Sequence, residues 1–291
     1  MRIRKAIIAA AGYGTRFLPA TKVQPKEMLP LIDKPIIQYL VEEVVNSGIR
    51  DIIIVTRSGS HVVADHFDSN VELEMILEAT GKKNELSEVK RLSRLANFIF
   101  LRQTKDYPYG NASPLLVARD LINNGESFVY MFGDDLVKSE VPATKQLISL
   151  WRGKPKSWIV GCQEIPYEEV YKYGILKLKD TNGSEIESAI EKPEVGKAPS
   201  NLAQFGRFIF DKRIFKYLNP RELGKNNELW VIDAITRFIE HRGKVLAAKV
   251  EGEWLDTGNP LNYLKATVEF ALERPDLAAP FKEFLKSTLE K

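Results

Sequence analysis

Two glycines and two cations follow the first apolar run of the chain. Gly12 and Gly14 come directly after residues 6–11, which are all alanine or isoleucine, and Arg16 and Lys26 lie beyond them. Glycine permits positive φ angles and a close approach of the backbone to a bulky anion, while the basic side chains supply countercharge. This order of residue types predicts a phosphate-binding loop.

Two common phosphate loops do not match this segment. A dinucleotide-binding fingerprint needs a third small residue where the helix packs on the strand, and Phe17 occupies that position. A P-loop ends in Gly-Lys-Ser or Gly-Lys-Thr, and neither triplet occurs in the chain. The loop therefore belongs to another class of phosphate-binding proteins.

The elements that would position this loop are strands alternating with amphipathic helices. Four apolar runs are typical of buried strands, at 3–10, 51–56, 98–102 and 127–132. A helix with one apolar stripe is expected to begin at Pro35. This alternation favours a parallel sheet covered on both faces, with right-handed crossovers. The glycine loop and Gly133-Asp134-Asp135 would then lie at the carboxyl ends of strands, where such sheets bind ligands.

The second half of the chain follows a different pattern. Residues 174–179 and 185–190 are strand-like and flank Asn182-Gly183, a typical hairpin turn. Helices are expected further on at 228–241 and 260–273, with a strand at 244–250 between them. The hairpin predicts a change from the parallel pattern to an antiparallel one.

Composition bounds the class of protein. The chain has 291 residues, of which 44% are hydrophobic and 28% are charged, as in globular proteins. A net charge of +3 without a basic helix does not support nucleic-acid binding, and the single cysteine, Cys162, excludes an internal disulfide and a thiolate metal cluster. No apolar run approaches the roughly 20 residues that span a bilayer, so we expect no membrane association and a cytoplasmic protein.

A long, ordered series of motifs resembles the sugar-phosphate nucleotidylyltransferases, and in particular the bacterial-type UTP–glucose-1-phosphate uridylyltransferases. The amino-terminal part of the series covers residues 10–22, 25–30 and 33–39. Later members follow in the family's order: Arg102-Gln103, Gly110, Asp134, Tyr173-Gly174, Glu191-Lys192-Pro193, 200–203, 233–235 and 256–259. Because the series spans nearly the whole chain, chance is a poor explanation for it.

The resemblance implies a fold and a division of labour. The fold would be a three-layer α/β/α, Rossmann-like nucleotidyltransferase (nucleotide-diphospho-sugar transferase) fold with a mixed, mostly parallel central sheet. Residues 1–291 would form a single domain, with a nucleotide-binding half at about 1–135, a sugar-binding half at about 136–265 and C-terminal helices at about 260–291. The resemblance also implies a homodimer or homotetramer.

The implied reaction joins UTP to α-D-glucose 1-phosphate, gives UDP-glucose and pyrophosphate, and depends on Mg²⁺. The sugar phosphate is largely dianionic at neutral pH because its second pKa lies near ~6, so no general base is required. Two phosphate groups brought within ~4 Å of each other repel by several kcal/mol, and cations must offset that repulsion. Attack would be in line on the α-phosphorus.

The resemblance also assigns roles to particular residues. The catalytic residues would be Arg16, Lys26, Asp134 and Lys192, and the metal ligands would be Asp134 and Asp256. Sugar-phosphate binding would involve Gly174, Glu191 and Lys192. Nucleotide binding would involve Ala11, Gly12, Gly14, Thr15, Arg16, Lys26, Glu27, Gln103 and Gly110.

Departures from the family pattern leave alternatives open. Asn111 stands where the family commonly has His, near the base or ribose. Gly133-Asp134-Asp135 is similar to the related thymidylyltransferases, so dTTP is an alternative to UTP. Residues 228–233 differ from the usual Glu-Ile-Gln-Leu-Thr-Asp, which leaves the sugar open, and Trp230 within them is expected to be a packing residue. A non-catalytic, nucleotide-sensing homologue is a further alternative.

Overall fold

Segments rich in isoleucine, valine and alanine form the centre of a mixed nine-stranded sheet. The computed structural model describes residues 2–194 and 196–290. The strands are β1 (Lys5–Ala10), β2 (Pro30–Leu31), β3 (Lys34–Pro35), β4 (Asp51–Arg57), β5 (Asn97–Gln103), β6 (Ser127–Phe132), β7 (Asp135–Lys138), β8 (Trp158–Glu164), β9 (Gly174–Leu178), β10 (Ile186–Glu191), β11 (Leu202–Asp211), β12 (Val245–Lys249) and β13 (Glu253–Asp256). The helices are α1 (Ile36–Asn46), α2 (Val62–Phe67), α3 (Val71–Ala79), α4 (Lys83–Leu92), α5 (Ser113–Ala118), α6 (Ala143–Gly153), α7 (Val231–Glu240), α8 (Pro260–Glu273) and α9 (Ala278–Leu289).

The first half of the chain supplies a block of four parallel strands, and β8 and β12 form a further parallel pair in the second half. In the order β6-β1-β4-β5, each neighbouring pair is parallel, so all four strands end at the same edge of the sheet. The long strand β11 pairs antiparallel with β6 and carries the sheet on to β9, β10, β8 and β12. These pairings confirm the predicted α/β fold with a mixed central sheet.

Alternate residues of the central strands pack against helices on opposite faces. Ile8 and Ile54 belong to one core, with residues of α1, α6 and α8, whereas Ile7 and Ile53 belong to a second core, with residues of α5 and α7. Strands buried on both faces need such continuous apolar runs, because neither face meets water. The result is the three-layer arrangement expected from the sequence.

A buried ion pair ties the layers together. Arg207 on β11 is fully buried, and its Nε and Nη2 donate to Glu43 Oε1 and Oε2 on α1 at 3.0 and 2.8 Å. Glu43 Oε1 also accepts hydrogen bonds from the Thr144 backbone N and hydroxyl on α6. Burial opposes ionisation of Glu43, but Arg207 outweighs it and lowers the pKa of the carboxyl. The pair therefore joins the sheet to two helices on the same face.

Two antiparallel ribbons complete the part of the fold that positions polar residues. The predicted hairpin forms β9 and β10, in which Gly174 pairs with Glu191. β13 pairs with β7 so that Asp256 lies opposite Asp135, directly after the end of β6. No helix within the described ranges combines the length and apolar character needed to cross a membrane.

The predicted helix over 228–241 begins later than expected, at Val231. Its first three predicted residues are not helical because the backbone of Leu229 bonds to the loop after β5 instead. Leu229 N donates to Tyr109 O at 2.8 Å, and Leu229 O accepts from Ala112 N at 3.0 Å. This extended connection brings residues 228–230 to the same edge of the sheet as the glycine loop.

Candidate active site

A cavity of about 330 Å³ opens at the edge where the parallel strands end. Loops that follow β1, β5 and β6 form its walls, together with residues from the second half of the chain. The predicted residues that line it are Ala11, Gly12, Gly14, Thr15, Arg16, Lys26, Glu27, Gln103, Gly110, Asp134 and Lys192. The structure thus brings together residues that are up to 181 positions apart, from Ala11 to Lys192.

The glycine loop after β1 is held in a tight turn. Gly14 has a φ of 61°, a left-handed conformation that L side chains rarely adopt, and its carbonyl accepts a hydrogen bond from the Thr21 hydroxyl at 2.7 Å. A β-carbon on Gly14 would lie 3.2 Å from Lys26 Cβ. Gly14 therefore allows Lys26 to approach the loop closely, and both residues face the cavity.

Lys26 forms an ion pair with the predicted metal ligand Asp134. The Lys26 Nζ lies 2.5 Å from Asp134 Oδ2, and both side chains are about one-fifth exposed. Burial opposes the charged form of Lys26, but Asp134 and Glu27 outweigh it and raise the pKa of the ammonium. Arg16 approaches the same region, where its Nη1 donates to Gly258 O at 3.2 Å. Both cations predicted to bind the nucleotide therefore lie at the cavity.

The ribbon of β7 and β13 brings a second carboxylate to Asp134. Thr257 N and Oγ1 donate to the Asp134 carbonyl at 2.8 and 2.7 Å, which fixes the chain beside it. Asp134 Oδ2 and Asp256 Oδ1 lie 2.9 and 2.8 Å from the point that a β-carbon on Gly258 would occupy. Burial and the proximity of Asp134 raise the pKa of Asp256. Two carboxylates thus converge where glycine leaves space between them.

Asp135 does not join this carboxylate pair. Its Oδ1 accepts from the Trp254 indole N–H at 2.7 Å and its Oδ2 accepts from Gly206 N at 3.2 Å. Burial and the neighbouring Asp134 and Asp256 carboxylates raise its pKa. The side chain is therefore committed to holding β13 and β11 beneath the cavity.

Three of the predicted ligand-binding side chains carry a buried oxygen with no hydrogen-bond partner among the described residues. These oxygens are Glu27 Oε2, Gln103 Oε1 and Glu191 Oε2. Burial raises the pKa of both Glu27 and Glu191 to about 7. Because buried polar groups are nearly always satisfied, such oxygens at a cavity point to a hydrogen-bonding ligand.

The predicted sugar-side residues lie together but at the margin of the cavity. A β-carbon on Gly174 would lie 3.0 Å from Glu191 Oε2 and 2.5 Å from Ile232 Cδ1, so a larger residue would have to displace these side chains. Lys192 Nζ lies 3.6 Å from Glu191 Oε1 and is the one of these three that lines the described cavity. Gly174, Glu191 and Asp256 are thus behind or beside the cavity wall.

The cavity also contains residues that sequence reasoning missed. The most prominent are Tyr109, Glu228, Trp230 and Gly258, while Asn111, which was expected near the base or ribose, also lines the cavity. Gly258 lies in the motif at 256–259 and could have been predicted from it, whereas Trp230 was expected to be a packing residue. Tyr109 and Glu228 could not be recognised from a single sequence. They meet at the cavity only because the extended backbone of Leu229 pairs with Tyr109 and brings residues 228–230 there.

Comparison with known proteins agrees with this geometry. Residues 5–272 match the family model described as Nucleotidyl transferase. The chain belongs to that family. It is 45% identical over 289 residues to a UTP–glucose-1-phosphate uridylyltransferase 1 of Staphylococcus saprophyticus, an alignment that covers 99% of each chain. The family resemblance expected from the motifs is therefore confirmed.

Solved structures with the same fold include ligand complexes. A UTP-bound UGPase from Acinetobacter baumannii superposes with a TM-score of 0.87 at 33% identity, over 98% of this chain and 99% of the other. A UDP-glucose pyrophosphorylase complexed with UDP-glucose gives a TM-score of 0.82 at 35% identity, over 94% of this chain and all of the other. These two proteins share the fold described above over at least 94% of this chain.

Members of this family generally use a divalent metal ion, and the present donor set fits one. No group of three or more His, Cys, Asp or Glu side chains suited to a metal occurs in the described ranges. The carboxylates that could hold a metal ion are those of Asp134 and Asp256, which converge at Gly258. Mg²⁺ is commonly held by one or two carboxylates plus phosphate oxygens and water, so this pair is sufficient when a nucleotide is bound.

Proposed function

We propose that the chain transfers the uridylyl group of UTP to α-D-glucose 1-phosphate, giving UDP-glucose and pyrophosphate. The observation that carries this proposal is the convergence of Arg16, Lys26 and Lys192 on one cavity that also holds the Asp134 carboxylate. Such a cavity suits a reaction between two phosphate groups, because cations on both sides lower their mutual repulsion. The names of the relatives support UTP and glucose 1-phosphate as the substrates.

The residues of each half would perform separate tasks. The glycine loop, Arg16 and Lys26 would bind the triphosphate, and Glu27, Gln103 and Gly110 would bind the base and ribose. The unpartnered carboxamide oxygen of Gln103 supports this role, since an amide matches the imide edge of uracil. This proposal assigns residues 1–135 to the nucleotide and 136–265 to the sugar, within one domain.

The sugar phosphate would enter from the side of Lys192. The unpartnered Glu191 oxygen is suited to accept hydrogen bonds from sugar hydroxyls, and Gly174 packs directly against it. A phosphate oxygen of the sugar attacks the α-phosphorus, a new P–O bond forms, and the bond from that phosphorus to the bridging oxygen breaks. Pyrophosphate leaves with that bonding pair, so the step needs no proton transfer from the protein.

We further propose Mg²⁺ as the metal ion, held by Asp134 and Asp256. When bound, it would neutralise phosphate charge and help to align the reacting groups. Lys26 is already paired with Asp134, so this lysine holds the carboxylate at the cavity edge and brings a second positive charge to the same place.

A pyrophosphate-release assay tests the proposed reaction directly. UTP, dTTP, ATP and GTP would each be offered with several sugar 1-phosphates, and we expect the highest kcat/KM with UTP and glucose 1-phosphate. A preference for dTTP would establish the thymidylyltransferase alternative. No turnover with any pair would overturn the enzymatic proposal and support the nucleotide-sensing alternative. Sedimentation of the same protein tests the expected homodimer or homotetramer.

Two variants separate the roles within the site. Asp134→Ala should lower metal-dependent turnover by more than about 10-fold without lowering the melting temperature, because it removes a metal-binding carboxylate from a partly exposed position. Lys192→Ala should chiefly raise the KM for glucose 1-phosphate. A change confined to the KM for UTP would show that the two phosphate sites are assigned the wrong way round.

A further inference from the structure

The indole ring of Trp230 lies against the ammonium group of Lys192. The Lys192 Nζ is 4.3 Å from the ring centroid, well within the range of a cation–π interaction, and Trp230 is only 6% exposed. Both side chains line the cavity. We propose that Trp230 is a positioning residue, whose ring face holds the Lys192 ammonium where the sugar phosphate binds. This inference rests on the proposed function, and it assigns the positioning of Lys192 to a residue outside the motifs shared with the family.

The backbone of Lys192 requires such support. Its φ of 43° is a conformation that side chains other than glycine rarely adopt and that persists only where surrounding contacts fix it. Lys192 N donates to Tyr173 O at 3.0 Å, and Lys192 O accepts from Lys225 Nζ at 2.6 Å. Contacts therefore fix the residue at its amide, its carbonyl and its ammonium.

Trp230 and Lys225 close a cycle of contacts around Lys192. The Trp230 indole N–H donates to the Lys225 carbonyl at 2.8 Å, the Lys225 ammonium donates to the Lys192 carbonyl, and the Lys192 ammonium lies over the Trp230 ring. Asn226 and Asn227 both have positive φ angles, of 57° and 59°, in the tight turn that makes this cycle possible. The orientation of the indole is thus fixed from both its edge and its face.

An aromatic face is better suited to this position than a carboxylate. A carboxylate in close contact would hold the ammonium but would cancel its charge and repel an incoming phosphate. The ring quadrupole attracts a cation without adding a negative charge, so the Lys192 charge stays available. The ammonium also forms an ion pair with Glu191, but at 3.6 Å this contact is longer than a direct hydrogen bond, and Glu191 is the predicted acceptor for sugar hydroxyls.

A matched pair of substitutions isolates the ring face. Trp230→Phe and Trp230→Leu both remove the N–H bond to Lys225, but only Phe keeps an aromatic face for Lys192. Calorimetric titration with UDP-glucose should show a Kd about 5- to 20-fold higher for the Leu variant than for the Phe variant, and the KM for glucose 1-phosphate should follow the same order. The Kd for UTP, which does not need Lys192, should change less than about 2-fold.

A double-mutant cycle distinguishes positioning from general structural support. In a Lys192→Ala background, Trp230→Leu should cause no further loss of UDP-glucose affinity, because the group on which it acts is absent. Additive losses, or equal UDP-glucose affinities for the Phe and Leu variants, would overturn the positioning role. If circular dichroism shows that the Leu variant is unfolded, Trp230→Met replaces it as the non-aromatic member of the pair. Calorimetry measures binding and does not need turnover. Failure of the proposed reaction is therefore recognised separately, from the pyrophosphate-release assay of the wild type.

Discussion

The buried carboxylate of Glu191 makes the stability of this protein depend on pH. Its side chain is 7% exposed, and burial raises its pKa from 4.5 to about 7, with Lys192 only partly opposing the shift. An acid whose pKa is higher in the native state than in the unfolded state binds its proton more tightly when folded. Stability from this group is therefore present below about pH 4.5 and is lost as the pH rises through about 7.

The expected size of this loss follows from the same two pKa values. Raising the pH from about 5 to about 8 should lower the free energy of unfolding by roughly 2.5 kcal/mol through Glu191 alone. The side chain in Glu191→Gln is neutral throughout this pH range, so the variant lacks this contribution. Between the same two pH values, the free energy of unfolding of the variant should therefore fall less than that of the wild type, and the difference is the amount given above. Urea unfolding at a series of pH values, without ligands, measures the difference between the two slopes.

Glu187 on the same strand provides the matched control. It is about half exposed and paired with Lys177 at 2.9 Å, so Glu187→Gln should leave the pH slope of the wild type unchanged. If Glu191→Gln and the wild type lost stability in parallel between pH 5 and 8, the carboxylate would not be buried as described and its role as an unpartnered acceptor would be refuted. A smaller pH slope for Glu191→Gln than for the wild type, together with weaker use of glucose 1-phosphate, would support both the burial of this carboxylate and its role as an acceptor.

Two further substitutions test close contacts in the fold. Gly110→Ala should lower the melting temperature and the transferase activity together, because Gly110 has a φ of 135° and a β-carbon would lie 2.2 Å from a backbone oxygen. The control is Gly153→Ala, whose β-carbon would meet nothing within 4 Å and which should leave both quantities unchanged in thermal melts and activity assays. Glu43→Ala should lower the free energy of unfolding by about 3 to 5 kcal/mol in urea titrations, because it leaves the charge of Arg207 buried without its partner. A loss below about 1 kcal/mol would mean that Arg207 finds another partner or reaches water.

The sequence predicted the cavity residues that follow the parallel strands better than those from the second half of the chain, for a physical reason. Apolar runs followed by Gly12 or Asp134 mark the carboxyl ends of parallel strands, and parallel strands bring those ends to one edge whatever the connections between them. Because this rule needs only local patterns, the glycine loop and the Asp134 region were predictable. The β9–β10 hairpin was predictable from its Asn-Gly turn on the same basis.

Long-range backbone contacts were not predictable in this way. The helical pattern of residues 228–241 is correct for most of its length, but Leu229 pairs with the loop at Tyr109 and removes three residues from the helix. Trp230 packs in the second core as predicted, but no local pattern encodes the pairing of Leu229 with Tyr109, so its contact with Lys192 was not expected. The ion pair of Lys26 with Asp134 likewise depends on the folded positions of two distant loops.

The pairing of residues 109–112 with 229–231 bears on how such an enzyme can be recombined. Leu229 bonds to Tyr109 and Ala112 through its backbone, and Asn111 Oδ1 accepts a hydrogen bond from Val231 N at 2.9 Å. A chimaera that joined the first 135 residues of this chain to the remainder of a relative would cut through this joint. The donors and acceptors of these hydrogen bonds would then come from two different parents, so residues 109–112 and 229–231 should be exchanged together.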